Sequence, residues 1–333
     1  METVETEQVE NDILKCRDVD ELKKYILPEM KAQEKMWSEK ITEIANSSGM
    51  SDSDFAGVCG FTRQSLYKWK RGRVPDRKSM MRIGLTAGYS LPEMNTFLMR
   101  YGRYPHLNLK NIDDCICEYV INMHLERDAA KKFIDICVEI DGRTSEKLSL
   151  EGSETSTASL ENRLSDIEDD EDLMRFIDEN SIDMYGAYTH LADVIDERIK
   201  DSYAGSVNSL ADSQNWTSFM RQRVSQIRQK KCIPDRKDVI LLGLYLGIEA
   251  GEIDELLETA RMNELYPKNP LEGTILFALK DASEKGLYDM SRQDFDTDNI
   301  YRYVRKVLLE VGIPEAKPYL HELSDSRKER GTR

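Results

Sequence analysis

The sequence predicts an all-α protein of two related multi-helix units joined by a Ser/Thr-rich, acidic linker. Three observations carry that prediction. Apolar residues recur at three- and four-residue spacing, between capping and stop signals, along almost the whole chain. A 25-residue segment occurs twice without gaps, as VPDRKSMMRIGLTAGYSLPEMNTFL at 74–98 and IPDRKDVILLGLYLGIEAGEIDELL at 233–257. Between the copies lies GRTSEKLSLEGSETSTASLENRLSDIEDDED, poor in large apolar residues, which reads as a partly disordered linker.

The elements follow in order. Residues 1–17 form an acidic segment that opens METVETEQVEND, without the basic-then-apolar pattern of a signal peptide, so the expected compartment is the cytoplasm. Trp37, Ile41 and Ile44 recur as one buried helical stripe. Ser51 caps a short helix, with Asp54 at its third position as a weak capping box. Gly60 ends that helix, because a sharp turn needs a residue that tolerates positive φ. Thr62 caps the next helix, RQSLYKWK, and Gly72 stops it. Asp76 starts a helix that runs to about Gly88, and Ser90 of SLPE starts another that ends near Gly102. Amphipathic stretches follow at 112–124 and 127–140, and a last one at 297–311 sets Ile300, Val304, Val307 and Val311 on one side.

Upstream of the repeated segment, DELKKYI (20–26) resembles EDLMRFI (171–177), so the duplication is of a whole domain rather than a short solenoid unit. The predicted domains are then 18–141, a linker at 142–170, a second diverged copy at 171–282, and C-terminal helices with a basic tail at 283–333.

Several function classes find no support. The longest apolar run, VILLGLYLGI, is too short to cross a bilayer, and no membrane partner is expected. Six cysteines form no CxxC pair, four histidines show no HExxH-type spacing, and the contiguous carboxylates of DIEDDED lack the spacing of a calcium loop. No cofactor or metal is expected. GxGxxG, Walker A and GxSxG motifs are absent, so no residue cluster nominates an enzyme.

Charge is more informative. The formal net charge is -15, yet Phe61 to Arg82 holds eight Lys or Arg against the single acid Asp76. If Phe61, Leu66 and Trp69 line the inner side of the second short helix, its outer side carries Arg63, Gln64, Tyr67 and Lys68, followed by Lys70, Arg71 and Arg73. A helix fits the major groove of duplex DNA, where Gln can pair with adenine and Arg with guanine. Ser65, Tyr67 and the Lys/Arg cluster are expected to hold phosphates, which position a protein without reading sequence.

Residues 51–88 resemble the phage-repressor/Cro/XRE-type helix-turn-helix. The resemblance lies in Phe55-Ala56, Gly60, Phe61, Thr62, Leu66, Trp69, Gly72 and Pro75. It implies a five-helix, lambda-repressor-like fold, with Arg63, Gln64 and Lys68 facing bases and Thr62 and Ser65 near the DNA backbone. Many members carry Glu where this chain has Lys70. The wider pattern, through LYPKN, looks like a helical extension found in bacterial proteins of this type. Family members generally act as dimers on two-fold sites, so a homodimeric, sequence-specific bacterial transcriptional regulator is the expectation. Two copies in one chain offer a second way to meet a two-fold site.

The second copy departs from the pattern. SLADSQNWT (209–217) aligns with DFAGVCGFT (54–62) if four extra residues precede IPDRK; alternatively Val224 matches Leu66 and Ile227 matches Trp69, which places Gln214 at Ala56. Arg221, Arg223, Arg228, Lys230 and Lys231 keep the region basic, as a second reader or as a worn copy kept for packing and dimer contacts; the worn copy is preferred. The competing function is a helical protein-interaction scaffold, with a partner at the second repeat or at the linker, whose Ser/Thr run at 144–159 could accept phosphate.

Overall fold

The computed structural model describes residues 2–109, 111–125, 128–147, 160, 162–164, 166–167, 169–202, 206–213, 216–229, 234–288 and 300–323. Among these there is helix and no strand. The helices are α1 (Glu2–Leu14), α2 (Val19–Ser47), α3 (Asp52–Val58), α4 (Arg63–Lys70), α5 (Arg77–Thr86), α6 (Leu91–Phe97), α7 (Ile112–Asn122), α8 (Ala129–Lys147), α9 (Asp170–Ser202), α10 (Val207–Ser213), α11 (Ser218–Arg228), α12 (Arg236–Leu246), α13 (Ala250–Thr259), α14 (Pro270–Glu284), α15 (Ile300–Val311) and α16 (Lys317–Glu322). None is long and apolar enough to cross a membrane.

Local chemistry sets the helix starts. Ser51, Thr62 and Asp76 hold extended backbone, and each side chain accepts from the N–H three residues on, at 3.2, 3.2 and 2.9 Å. At Ser90 the box is closed from the other side: Glu93 Oε2 accepts from Ser90 N at 2.9 Å.

Contacts divide the chain into two compact units that cut across the repeat. The first unit takes in 27–144 and 153–184; the second takes in 1–26, 145–152 and 185–333. The sequence suggests units at 18–141 and 171–282, so the difference lies in the opening segment of each copy. Leu22 and Ile26 of the first copy are buried in the second unit, where Lys23 Nζ also lies 3.4 Å from Glu310. Their counterparts Leu173 and Ile177 are buried in the first unit, where Tyr119 donates to Asp170 at 3.0 Å and Lys132 pairs with the same carboxylate. Asp18 caps the backbone N–H of Glu21 at 2.9 Å, as Asp169 caps that of Asp172 at 2.8 Å. Sequence periodicity reports which side of a helix is apolar; it does not say which core receives it.

Parts of the predicted linker at 142–170 are helical. Helix α8 continues to Lys147, residues 160 and 162–164 are helical, and Leu160 and Leu164 are buried in the core of the first unit. Most of the Ser/Thr run lies outside the described residues.

Within each unit the copies repeat the same polar joint. In the first, Arg77 donates to both oxygens of Asp114, at 3.3 and 2.7 Å, to His106 O at 3.0 Å and to Pro105 O. In the second, Arg236 donates to both oxygens of Glu272 at 2.7 Å, and to Asn263 O and Glu264 O at 2.5 and 2.7 Å. Asn95 accepts from Leu107 N at 2.8 Å, as Asp254 accepts from Leu265 N at 2.7 Å. One residue separates the copies here. The first has one more residue between Asn95 and Arg103 than the second has between Asp254 and Arg261, yet both arginines end in the left-handed region, with φ 53° and 55°. The extra residue is absorbed where Leu98–Gly102 widens into a π-helical turn, which is how a helix takes an insertion without losing register beyond it.

Candidate nucleic-acid interface

Helices α3 and α4 are joined by a tight turn whose backbone is closed internally. Phe61 N donates to Ala56 O at 2.7 Å and Gly60 adopts φ 71°. The positive φ favours glycine, and a Cβ here would also displace the ends of the Arg82 and Ile134 side chains. Arg82 of α5 reaches back over this turn. Its Nε donates to Cys59 O at 2.9 Å, its Nη2 donates to Gly60 O, and its guanidinium lies 3.8 Å from the Phe61 ring centroid. Phe61 in turn meets Trp69 edge-on, with centroids 4.7 Å apart. Burial pushes the Cys59 thiol up to about 11, so it stays a neutral packing group.

The inner side of this pair is sealed. Phe55, Ala56, Leu66 and Trp69 are buried in one core with Trp37 and Ile41. The far end of α4 rests on α2: Ser38 Oγ donates to Lys70 O at 2.6 Å, and Trp37 Nε1 donates to Arg73 O at 2.9 Å. Gly72, at φ 100°, brings the chain so close that a Cβ would sit 3.2 Å from Glu34 Cβ.

The outer side is open. Thr62, Arg63, Gln64, Tyr67, Lys68, Arg71 and Arg73 are exposed and Ser65 half-buried, its hydroxyl 3.1 Å from that of Thr62. The eight cations of the window divide evenly. Lys70 pairs with Asp52 at 2.6 Å, Arg77 with Asp114, and Lys78 with Asp113 at 2.7 Å, while Arg82 is spent on the turn. No carboxylate among the described residues pairs with Arg63, Lys68, Arg71 or Arg73. The raw count of eight thus overstates the basic surface, which is four cations beside the Gln64 amide. The pairs at Arg77, Lys78 and Lys70 escape sequence reading because their partners lie on other helices.

The Asp52 pair gives a direct expectation. If α4 meets duplex DNA, Asp52→Asn frees Lys70 for a phosphate, and binding at moderate salt should tighten. The slope of log affinity against log salt should steepen by up to about one. Titrations of parent and variant across a salt series measure both; an unchanged slope would show that Lys70 takes no phosphate.

The second unit settles the alignment that sequence leaves open. Trp216 N donates to Ala211 O at 2.9 Å and Thr217 caps Met220 N at 3.1 Å, so this turn matches that of Ala56, Phe61 and Thr62. Helix α11 has 11 residues against 8 in α4, which places three of the four added residues inside the helix. Met220, Val224 and Ile227 face inward. Asn215, aligned with Gly60, lies outside the described residues. The predicted second basic surface does not present free charge on this helix. Arg221 donates to Ala211 O and Asp212 at 2.9 Å, Arg223 Nε lies 2.6 Å from buried Asp238, and Arg228 pairs with Asp196. Arg221 seals the turn from within α11, a task done in the first unit by Arg82 from outside α4. Where α4 carries Arg63 and Gln64, α11 carries Ser218 and an exposed Phe219. Lys230 and Lys231 lie outside the described residues.

No group of His, Cys, Asp or Glu among the described residues is arranged to hold a metal ion. No protein-family model matches the chain, and neither does any curated protein or solved structure.

Proposed function

We propose that the chain is a transcriptional regulator that binds duplex DNA sequence-specifically through a helix-turn-helix formed by α3 and α4. In this reading α4 enters the major groove, Arg63, Gln64 and Lys68 meet base edges, and Thr62, Ser65, Arg71 and Arg73 meet phosphates. One observation supports it above the others. A capped helix of 8 residues is held rigidly from behind by Leu66, Trp69 and two backbone anchors, while Arg63, Lys68 and, just past its end, Arg71 and Arg73 stand exposed beside Gln64 with no carboxylate partner among the described residues. Charges left unpaired in so acidic a chain indicate an anionic partner.

The second unit is not proposed as a reader, because the arginines of α11 are committed to its own turn and carboxylates. A two-fold DNA site would then engage two copies of the chain, as a homodimer.

Arg63→Ala and Gln64→Ala provide the test, after selection of bound fragments from random duplexes with the parent chain. Each variant should lose about 1–3 kcal/mol of discrimination at one base position while keeping general affinity at low salt. Unchanged base preference in both would remove these side chains from the reading surface, and no enrichment by the parent would overturn DNA recognition itself.

A further inference from the structure

Tyr67 is the largest apolar group exposed on α4, at 58% of its full surface. Successive residues advance about 100° around a helix. Leu66 and Trp69 define the inward direction, so Gln64, Tyr67, Lys68 and Arg71 share the opposite side. Tyr67 lies on one ridge with Arg63 a turn before it and Arg71 a turn after it. The Arg71 guanidinium stands 5.2 Å over the Tyr67 ring. The ring is therefore braced on the outward side, beside the Gln64 line, with cations before and after it.

We propose that Tyr67 is a base-reading residue: its ring packs against the C5 methyl of a thymine, and Arg71, stacked on that ring, is carried to the flanking phosphate. This deepens the DNA-binding reading above and rests on it; it reassigns Tyr67 from the phosphate contact that sequence suggests. Three physical points lead here. Outward side chains of a helix lying in the major groove reach base edges, and exposed Tyr67 stands on that side with Gln64 and Lys68. An exposed aromatic ring gains from burial against an apolar group, and the thymine methyl is the apolar group that the major groove presents. The cation on the ring makes a solvent-exposed tyrosine less free to rotate away, so the contact is partly organised before binding.

The experiment takes the duplex selected by the full chain and replaces each thymine in turn by deoxyuridine, which lacks only the methyl. Binding is measured for the parent, Tyr67→Phe and Tyr67→Ala. One thymine per half-site should cost the parent about fourfold in affinity, the loss of one buried methyl. Tyr67→Phe should keep that penalty, because the ring and not the hydroxyl makes the contact. Tyr67→Ala should bind more weakly and be indifferent to deoxyuridine at that position. The proposal is overturned by a selected site without thymine, by tolerance of every deoxyuridine in the parent, by an undiminished penalty in Tyr67→Ala, or by a Tyr67→Phe variant that behaves like Tyr67→Ala. Circular dichroism of the variants, matching the parent because the residue is exposed, excludes a folding defect. Failure of the parent to enrich any duplex would instead overturn the DNA-binding reading, and this inference with it.

Discussion

Trp37→Ala is expected to destabilise the first unit by about 3–5 kcal/mol, the range for truncating a fully buried tryptophan. Trp37 has no exposed surface, packs at 5.9 Å between centroids against Phe97, and lies in the core that receives Leu66 and Trp69. It also supplies the N–H that holds Arg73 O at 2.9 Å. Truncation opens a cavity and leaves that carbonyl without its donor, two costs that act in the same direction. Trp37→Phe separates them. It restores much of the apolar contact but not the N–H, and should cost about 1–2 kcal/mol. Urea unfolding followed by circular dichroism measures both; a Trp37→Ala curve superimposable on the parent would remove the residue from the core. Under the proposed function Trp37→Phe carries a second expectation: the loop bearing Arg71 and Arg73 loses its anchor, and DNA affinity should fall even where the protein remains folded.

Arg77→Ala is expected to be comparably severe, at about 3–5 kcal/mol, because it leaves a buried carboxylate without its cation. Asp114 is 3% exposed and keeps, besides Arg77, the Asn108 N–H at 2.8 Å. Burial pushes its carboxyl above the ordinary aspartate value, and Arg77 opposes that push. The sign of the pH dependence follows. A carboxyl raised in the folded state favours the protonated fold, so its destabilising effect grows as pH rises through the folded value and fades below it. Removing Arg77 raises the carboxyl further and moves that window upward. The variant should therefore lose less stability at about pH 5 than at about pH 7 relative to the parent. Arg77→Ala combined with Asp114→Asn should recover part of the loss and abolish the pH difference, which denaturant melts at the two pH values would measure. A loss independent of pH in the single variant would mean that the carboxylate does not carry the cost. For the equivalent pair Arg236 and Glu272 in the second unit, removal of the arginine likewise leaves a buried carboxylate without its cation and should be comparably destabilising.

What could be read from sequence was local. Ser51, Thr62 and Asp76 act on the N–H three residues ahead, so a short string of letters contains both partners. The inward positions Phe55, Ala56, Leu66 and Trp69 follow from helical spacing and are buried as expected. The PDRK copies were visible because the same Arg-to-carboxylate joint constrains both. What could not be read was the pairing of side chains distant in sequence. Asp52 with Lys70, Asp113 with Lys78, and Arg82 on the carbonyls of 59 and 60 all depend on helices folding back on one another. The second turn is ambiguous in sequence because it lacks the glycine that marks the first; its backbone bond at Ala211 and the Thr217 cap fix the match. Leu160 and Leu164 were lost in a hydrophilic neighbourhood, where two apolar residues weigh little against composition but suffice to anchor a short helix.

The exchange of opening segments has a consequence for anyone wishing to study the halves apart. Severing the polypeptide midway would give two fragments, each deprived of side chains that complete its interior: Leu173 and Ile177 would be withheld from one, Leu22 and Ile26 from the other. The repeat visible in the sequence is therefore a poor guide to where the chain can be cut, because each compact unit completes its interior with side chains from beyond the cut.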